Sequence, residues 1–436
     1  MKRLLLLVPK CNGPSEKKKW NEFWPDDIES IVSQNMWKLV SPGVLVLAKL
    51  AESTGIYDVQ LVDEEFQQLD LTQRFDLVAM YTVTPNAKRA YDLAGYYKKQ
   101  EAYVVMGGVH TTVCPDEAEK YADTILIGEA EHIWPEFLKD FQVNMVKKIY
   151  SQPLGEVDIN CSPVPSFHIL PENARNLIPI QTARGCPHGC KFCNLRNLYG
   201  SQYRIKETAN VEKEFEAIKK INTHAVIYFT DDNFFCNRTH SEAIMQKAGE
   251  YNLIWYANSD ISLGSNIPII QMAYKCGCRQ VLIGLESVNP ANLKGLDENN
   301  FKSRNFKHYK ELIENIQSCG IGVIGSFILG LDEDDEDIFD KTIDFILDTK
   351  LFGANITINT PYPGTMSFKT LRDENRILTY DWNCYTIFNP VIIPKKITVE
   401  KLNEGYLRVL RTINVPENIN NKMNYLKQKM RNKKND

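Results

Sequence analysis

The chain has 436 residues, 43% of them apolar and 24% charged, with a formal net charge of −4 at pH 7. That length makes two or three soluble domains, and the mixed charge excludes the broad basic surface of a nucleic-acid binder. Neither a membrane span of about twenty apolar residues nor a signal peptide is present, because the apolar start "MKRLLLLVPK" is cut by Pro9.

The first part alternates strands and helices. "KRLLLLVP" reads as a buried strand, "VSPGVLVLAKLAEST" as a helix ended by Gly55, "YDVQLVDEE" and "FDLVAMYTVT" as strands, and Asn86 to Lys99 as a helix. "AYVVMGGVHTT" and "ADTILIGEAEHIW" add two more strands. Strands separated by helices predict a doubly wound, Rossmann-like parallel sheet, assigned to residues 1–145. The proline-rich stretch from Ser151 to Asn173 has no amphipathic period, so 146–175 is read as a linker.

A second alternating series follows. "NLIPIQTARGC" is a strand running into a cysteine-rich loop, and Thr208 to Ile221 is a helix with Val211, Phe215 and Ile218 on one face. "AVIYFTDDNFF", "NLIWYANSD", "QVLIGLESV", "IGVIGSFILGL" and "ANITINTPYPGT" are further strands. Thr239 and Glu242 suggest a capping box. About six β/α units predict a partial parallel barrel over 176–390. The acidic run Asp332 to Asp337 is read as the start of a helix, where carboxylates complement the dipole. Past Pro390, "KKITVEKLNEGYLRVLRTI" is an amphipathic helix and the remainder a basic, solvated tail, so 391–436 is a short helical extension.

Eleven cysteines without a leader fit a reducing, cytoplasmic chain, where clustered thiols are metal ligands more often than disulfides. Three of them, Cys186, Cys190 and Cys193, crowd into "RGCPHGCKFCNLR". A structural zinc wants four ligands, and His188 is the one local candidate for a fourth. An iron–sulfur cluster usually takes four cysteines as well. In a parallel β/α barrel, function collects at the C-terminal strand ends. Read so, one rim carries the cysteines, Asp231–Asp232–Asn233, Asn258–Ser259–Asp260, Glu286–Ser287, Ser326 and Asn359–Thr360. The remaining cysteines are isolated or, like Cys276 and Cys278, flank a glycine at a helix-to-strand turn.

C-x-x-x-C-x-x-C after the first barrel strand, with aromatic Phe192 before the third cysteine, resembles the signature of radical S-adenosylmethionine (SAM) enzymes. The resemblance implies a [4Fe–4S] cluster on Cys186, Cys190 and Cys193. Its open iron is left to SAM, which is cleaved to a 5′-deoxyadenosyl radical. It also implies SAM contacts from Phe192, Asp231, Asp232, Asn233, Ser259, Glu286 and Ser326, and an external electron donor such as flavodoxin or ferredoxin.

The N-terminal part, with "VVMGGVHTT" followed by "ADTILIGEAEHIWPEFL", is similar to the cobalamin-binding domain of B12-dependent radical SAM enzymes. The likeness extends to hopanoid-methylase-type proteins through "TPYPGTMSFKTLRDENRILTYDWNCY". It implies bound cobalamin, with Thr82 or Thr84 ending one strand and Gly107 and Gly108 another, where a side chain would block the nucleotide tail. The loop "PKCNGPSEKKKW" has no histidine to ligate cobalt from below. His110 lies just after the glycine pair and reads as a satisfied loop histidine or a neighbour of the corrin. The implied reaction is methylation of an unactivated carbon in a small-molecule or lipid substrate. The alternatives are a cyclase, rearrangement or carbon–carbon bond-forming enzyme, a methylthiotransferase, and a non-catalytic iron–sulfur or cobalamin carrier.

Overall fold

The computed structural model describes residues 1–11 and 38–432. From Asn12 onward, the loop read as lacking a cobalt-ligating histidine lies outside the described residues.

Strand β1, Lys2–Val8, is a leucine run. Leu4 to Leu7 are almost wholly buried, with Leu4 and Leu6 in one apolar cluster and Leu5 and Leu7 in another. A strand buried on both faces needs such an unbroken run, and each leucine removed from water contributes roughly 1.5–3 kcal/mol. It is joined by β2 (Tyr57–Asp63), β3 (Leu77–Tyr81), β4 (Tyr103–Gly107), β5 (Thr124–Ile127) and β6 (Ile149–Ser151). The sheet is parallel, in the order β2-β1-β3-β4-β5-β6. The order reverses between β1 and β3, and ligands of such sheets sit beyond the strand ends at that reversal. Strand β6 falls in the stretch read as linker. The rest of that stretch is packed rather than loose, with Val157, Ile159, Phe167 and Leu170 buried.

The second sheet holds β7 (Leu177–Ile180), β8 (Val226–Phe229), β9 (Ile254–Ser259), β10 (Cys278–Glu286), β11 (Gly322–Leu329) and β12 (Gly353–Ile358). All are parallel and paired in chain order, with β7 and β12 as unpaired edges, so the barrel is open. The helix Thr208–Ile221 buries Val211, Phe215 and Ile218 as predicted. One apolar cluster runs from Leu6 and Trp134 through Phe167 to Ile178 and Phe229, tying the two sheets together.

Three local expectations need correction. The helix Arg238–Glu250 is capped by Asn237, whose side chain accepts from the His240 backbone N–H, rather than by a box at Thr239. The acidic run precedes its helix, Ile338–Asp348, but its members tie loops instead: Asp334 is buried and accepts from the Gly330 and Leu331 amides, and Asp332 pairs with Arg376. The supposed tail is a helix, Pro416–Asn432, with Leu426 buried and Tyr425 bonded to Glu314. Among the described residues, no helix is long and apolar enough to cross a membrane.

Candidate active site

The cysteine loop leaves β7 and is clamped at its base. Ala183–Arg184 pairs antiparallel with Arg204–Ile205. Gly185 has φ +103°, and a Cβ there would lie 2.3 Å from the Gln202 carbonyl oxygen, so only glycine fits. The Gly185 amide donates to Asp232 at 2.9 Å. Further on, the Lys191 amide donates to the Leu296 carbonyl, and the Glu298 amide to that of His188. Cys186, Cys190 and Cys193 are half-buried free thiols. Burial raises all three, Cys190 to about 12 and Cys193 to about 11, and the neighbouring cysteines raise those two further. Such thiols become thiolates only when a metal supplies compensating charge.

His188 does not complete a zinc centre. Its Nε2 lies 2.8 Å from Asp260 Oδ2, and its ring packs on Phe301 with centroids 4.3 Å apart. Among the described residues, no three His, Cys, Asp or Glu side chains converge as the ligands of a single ion. The three thiols are neighbours in space, with Cys186 and Cys193 both acting on Cys190, and clustered thiolates are the ligands of iron–sulfur centres.

Around the loop, the rim residues differ in what their side chains engage. Asp231 is framework: fully buried, its carboxylate accepts from the Thr182 and Ala183 amides at 2.6 and 3.0 Å and from the Thr182 hydroxyl. Asn233 donates to Asp260 at 2.7 Å, and Ser259 donates to the Asp260 carbonyl at 3.0 Å. These three, expected to touch SAM, have their side chains bonded within the neighbouring loops. Asp232 faces outward toward the cysteine loop, with burial raising it to about 6. Glu286 ends β10 at φ +66°, a conformation costly for a non-glycine residue. It meets Lys302 Nζ at 3.0 Å, and that ammonium also donates to the Gly284 carbonyl at 2.8 Å. Ser326 sits beside Gly284 on the next strand, half-exposed. Phe192 is half-buried within the loop.

Between the sheets lies a cavity of about 390 Å³, within the range of small-molecule sites. One wall is Gly107, Gly108, Thr112 and Gly128; the other is Arg184, Tyr199 and Asp232. A Cβ on Gly107 would meet only Leu126, at an ordinary 3.5 Å, so the protein itself has room there and a larger side chain would take up cavity space. Gly108 differs: at φ +103° its Cβ would strike the Thr82 backbone at 2.7 Å. Thr82 and Thr84, expected at the cavity, are buried behind it. Thr82 donates to the Gly107 carbonyl at 2.9 Å, and Thr84 pairs with His110 Nδ1 at 3.2 Å. The hydroxyl on the wall is that of Thr112, which donates to the Gly108 carbonyl at 2.9 Å and accepts from the Gly128 amide at 3.1 Å. His110 is fully buried, its other nitrogen 3.1 Å from the Tyr91 hydroxyl, and lies outside the cavity lining.

The family model of the Radical SAM superfamily matches residues 180–346. The bacteriochlorophyllide d C-12(1)-methyltransferase of Chlorobaculum tepidum is 29% identical over 406 residues, 91% of this chain and 87% of that protein. The hopanoid C-2 methylase of Rhodopseudomonas palustris is 23% identical over 64% of this chain and 54% of its own length. The solved structure of the radical SAM methyltransferase TsrM from Kitasatospora setae, with cobalamin and a [4Fe–4S] cluster bound, shares the fold. Its TM-score is 0.65 at 15% identity, covering 86% of this chain and 78% of that one. The chain is a radical SAM protein related to the B12-dependent radical SAM methyltransferases.

Sequence reasoning missed several groups of this radical SAM protein. Lys302 comes from a short helix after the loop that pins the cysteines, and no motif marks it. Arg184, one residue before Gly185, reaches across to the first domain. Its guanidinium bonds Glu129 and Glu131, each at 2.5 Å, while Arg204 adds a second contact to Glu129 at 2.9 Å. The two glutamates stand in "IGEAEH", a segment carrying the cobalamin-domain likeness but given no role of its own.

Proposed function

We propose that the chain is a cobalamin-dependent radical SAM enzyme that methylates an unactivated carbon of a small-molecule or lipid substrate. One observation carries the reading: a single cavity is walled by the glycine-lined end of the first sheet and by Asp232 beside the cysteine loop. Cys186, Cys190 and Cys193 would hold the cluster, and Gly107 and Gly128 would border the cobalamin. When bound, the cluster with SAM supplies a radical able to abstract hydrogen, and cobalamin supplies the methyl group.

The chain's own residues bind and orient. SAM carries an amino-acid head with one ammonium and one carboxylate. Asp232 and Glu286 offer the rim negative charge, and Lys302 offers positive charge, so the three complement that head. Phe192 covers the loop, and Ser326 gives a hydroxyl one strand away. The buried Asp231 and Asp260 networks fix the strand ends, so the rim does not reorganise as the substrate binds. The methylases named above act on a bacteriochlorophyllide and a hopanoid, which are large and apolar. The half-exposed inner face of the barrel, with Tyr256, Leu282 and Ile324, suits an acceptor of that character.

The test is anaerobic reconstitution with iron, sulfide and cobalamin, followed by optical spectra with and without SAM and a search for label transfer from methyl-labelled SAM. A [4Fe–4S] chromophore, a bound corrin spectrum and labelled product are expected. A protein that takes up the cluster but no corrin overturns the cobalamin part, and SAM cleavage without methyl transfer overturns methylation.

A further inference from the structure

A second cavity, of about 960 Å³, opens at the other end of the barrel. Its walls are the early residues of the strands, among them Gln280, Leu282, Ile324 and Asn355, and its cover is the helix Pro416–Asn432. Among the described residues the lining is apolar side chains and amides, with two lysines, Lys350 and Lys422, and neither Asp nor Glu. Lys350 has company: its ammonium lies over the Tyr425 ring at 5.0 Å. Glu314, on the neighbouring helix Tyr309–Ser318, is already engaged by the Tyr425 hydroxyl and by Lys429 at 2.7 Å.

Lys422 is different. Among the described residues it has no carboxylate partner, and burial alone pulls its ammonium below the ordinary lysine range. Lys422 is half-buried; an ammonium partly withdrawn from water without a counter-charge is disfavoured, and an arriving anion offsets that cost. The inner face of the barrel continues from this chamber to the cysteine rim. Gln280 and Glu286 stand on the same strand, roughly 20 Å apart at 3.3 Å per residue.

We propose that this chamber receives the distal end of the acceptor, and that the acceptor is an elongated apolar molecule carrying a carboxylate that docks on Lys422. Its reacting carbon then lies along the barrel toward Glu286 and Ser326. This rests on the methyl-transfer reading for its direction, but the docking itself is measurable without turnover. A single ammonium beside an apolar lining matches one carboxylate; the greater charge of a phosphate is met more often by bidentate arginine forks.

The experiment uses the reconstituted holoprotein and a fluorescent long-chain fatty acid, with its methyl ester as the neutral control. The acid is expected to bind wild type at least tenfold more tightly than the ester. Lys422→Met should remove that preference and leave ester binding unchanged, and Lys422→Arg should restore it. Cluster absorbance and SAM cleavage should be the same in all three proteins, which separates this outcome from failure of the cofactor assignment. Equal affinity for acid and ester in wild type, or an acid preference that survives Lys422→Met, overturns the proposal. An acid preference that depends on Lys422, in a protein that transfers no methyl group, keeps the docking site and rejects only the reaction.

Discussion

The contact between the two domains is tested by Arg184→Met. The side chain is 10% exposed and bridges Glu129 and Glu131, which are 3% and 7% exposed. Its Nε also donates to Gln181 at 2.8 Å. After substitution, Glu129 keeps Arg204 at 2.9 Å, but Glu131 keeps no cation, only neutral donors: its own backbone amide and the Ser162 hydroxyl at 3.0 Å. The loss is therefore that of one buried carboxylate left without its cation, about 3–5 kcal/mol. Adding Glu131→Gln to Arg184→Met removes the stranded charge, and the double variant should recover about 1–3 kcal/mol. The assay is urea unfolding at pH 7.5, followed by both circular dichroism and tryptophan fluorescence. The pH dependence has a defined sign. Burial by itself would raise the Glu131 carboxyl, but the Arg184 guanidinium overrides this and holds it below its ordinary 4.5. Its contribution is thus present above pH 4.5 and lost as pH falls through the lower folded value, so wild type and Arg184→Met should converge in acid. A single variant within about 1 kcal/mol of wild type, or a double variant no more stable than the single, would refute the reasoning.

Other outcomes follow from the same geometry. Cys186→Ala, Cys190→Ala or Cys193→Ala should abolish the brown [4Fe–4S] absorbance and SAM cleavage; a variant that keeps both sinks the cluster assignment. Gly107→Val should block corrin uptake while sparing the cluster, since its side chain would project into the cavity without a clash against the protein, and unchanged uptake would misplace that site. Gly108 is a poor choice for the same test, because its backbone conformation would be strained by any side chain. Lys302→Met should raise the apparent KM for SAM at least tenfold and lower the unfolding midpoint by leaving Glu286 unpaired; a KM unchanged in a folded variant would remove Lys302 from the SAM site.

What was legible in the sequence was local. Apolar runs bounded by glycine and proline marked most of the strands, and three cysteines within eight positions marked the loop. Strand β6 escaped because Ile149–Ser151 is too short for periodicity. The helix Pro416–Asn432 escaped because its composition, rich in Asn and Lys, has few apolar positions; Leu426 and the Tyr425–Glu314 bond anchor it from outside the segment. Roles that depend on distant partners escaped for a related reason. Arg184 meets Glu129 and Glu131 across separations of 55 and 53 residues, and Lys302 meets Glu286 across 16. The rim was located correctly as a row of strand ends, but which of its members face outward depends on hydrogen bonds no spacing reveals. Asp231 and Asp232 are adjacent in sequence, yet the first turns to Thr182 and Ala183 and the second to Gly185 and the cavity.

The buried arginine also offers a way for the two proposed cofactor sites, on separate sheets, to be held in register. Arg204 reinforces it at Glu129, and two further polar contacts between the domains are weaker candidates. Lys88–Asp381, at 3.1 Å, has its lysine half-exposed, and pairs of that kind contribute about 0–1 kcal/mol. Trp382 donates to Glu117, which is itself partly exposed. Apolar packing through Phe167 and Trp134 supplies stability but tolerates sliding, because dispersion contacts are not directional. The Arg184 guanidinium is directional, with one nitrogen on each glutamate. Its main chain continues into Gly185, whose amide is fixed by Asp232, and then into Cys186. Three consecutive residues thus join the "GEAE" turn of the first sheet to Cys186, the first of the three thiols proposed to hold the cluster. A shift of that turn must move the thiol or break a buried bond. Apolar residues of similar volume could match this stability, but they would leave the distance between the glycine-lined wall and the cysteine loop undetermined.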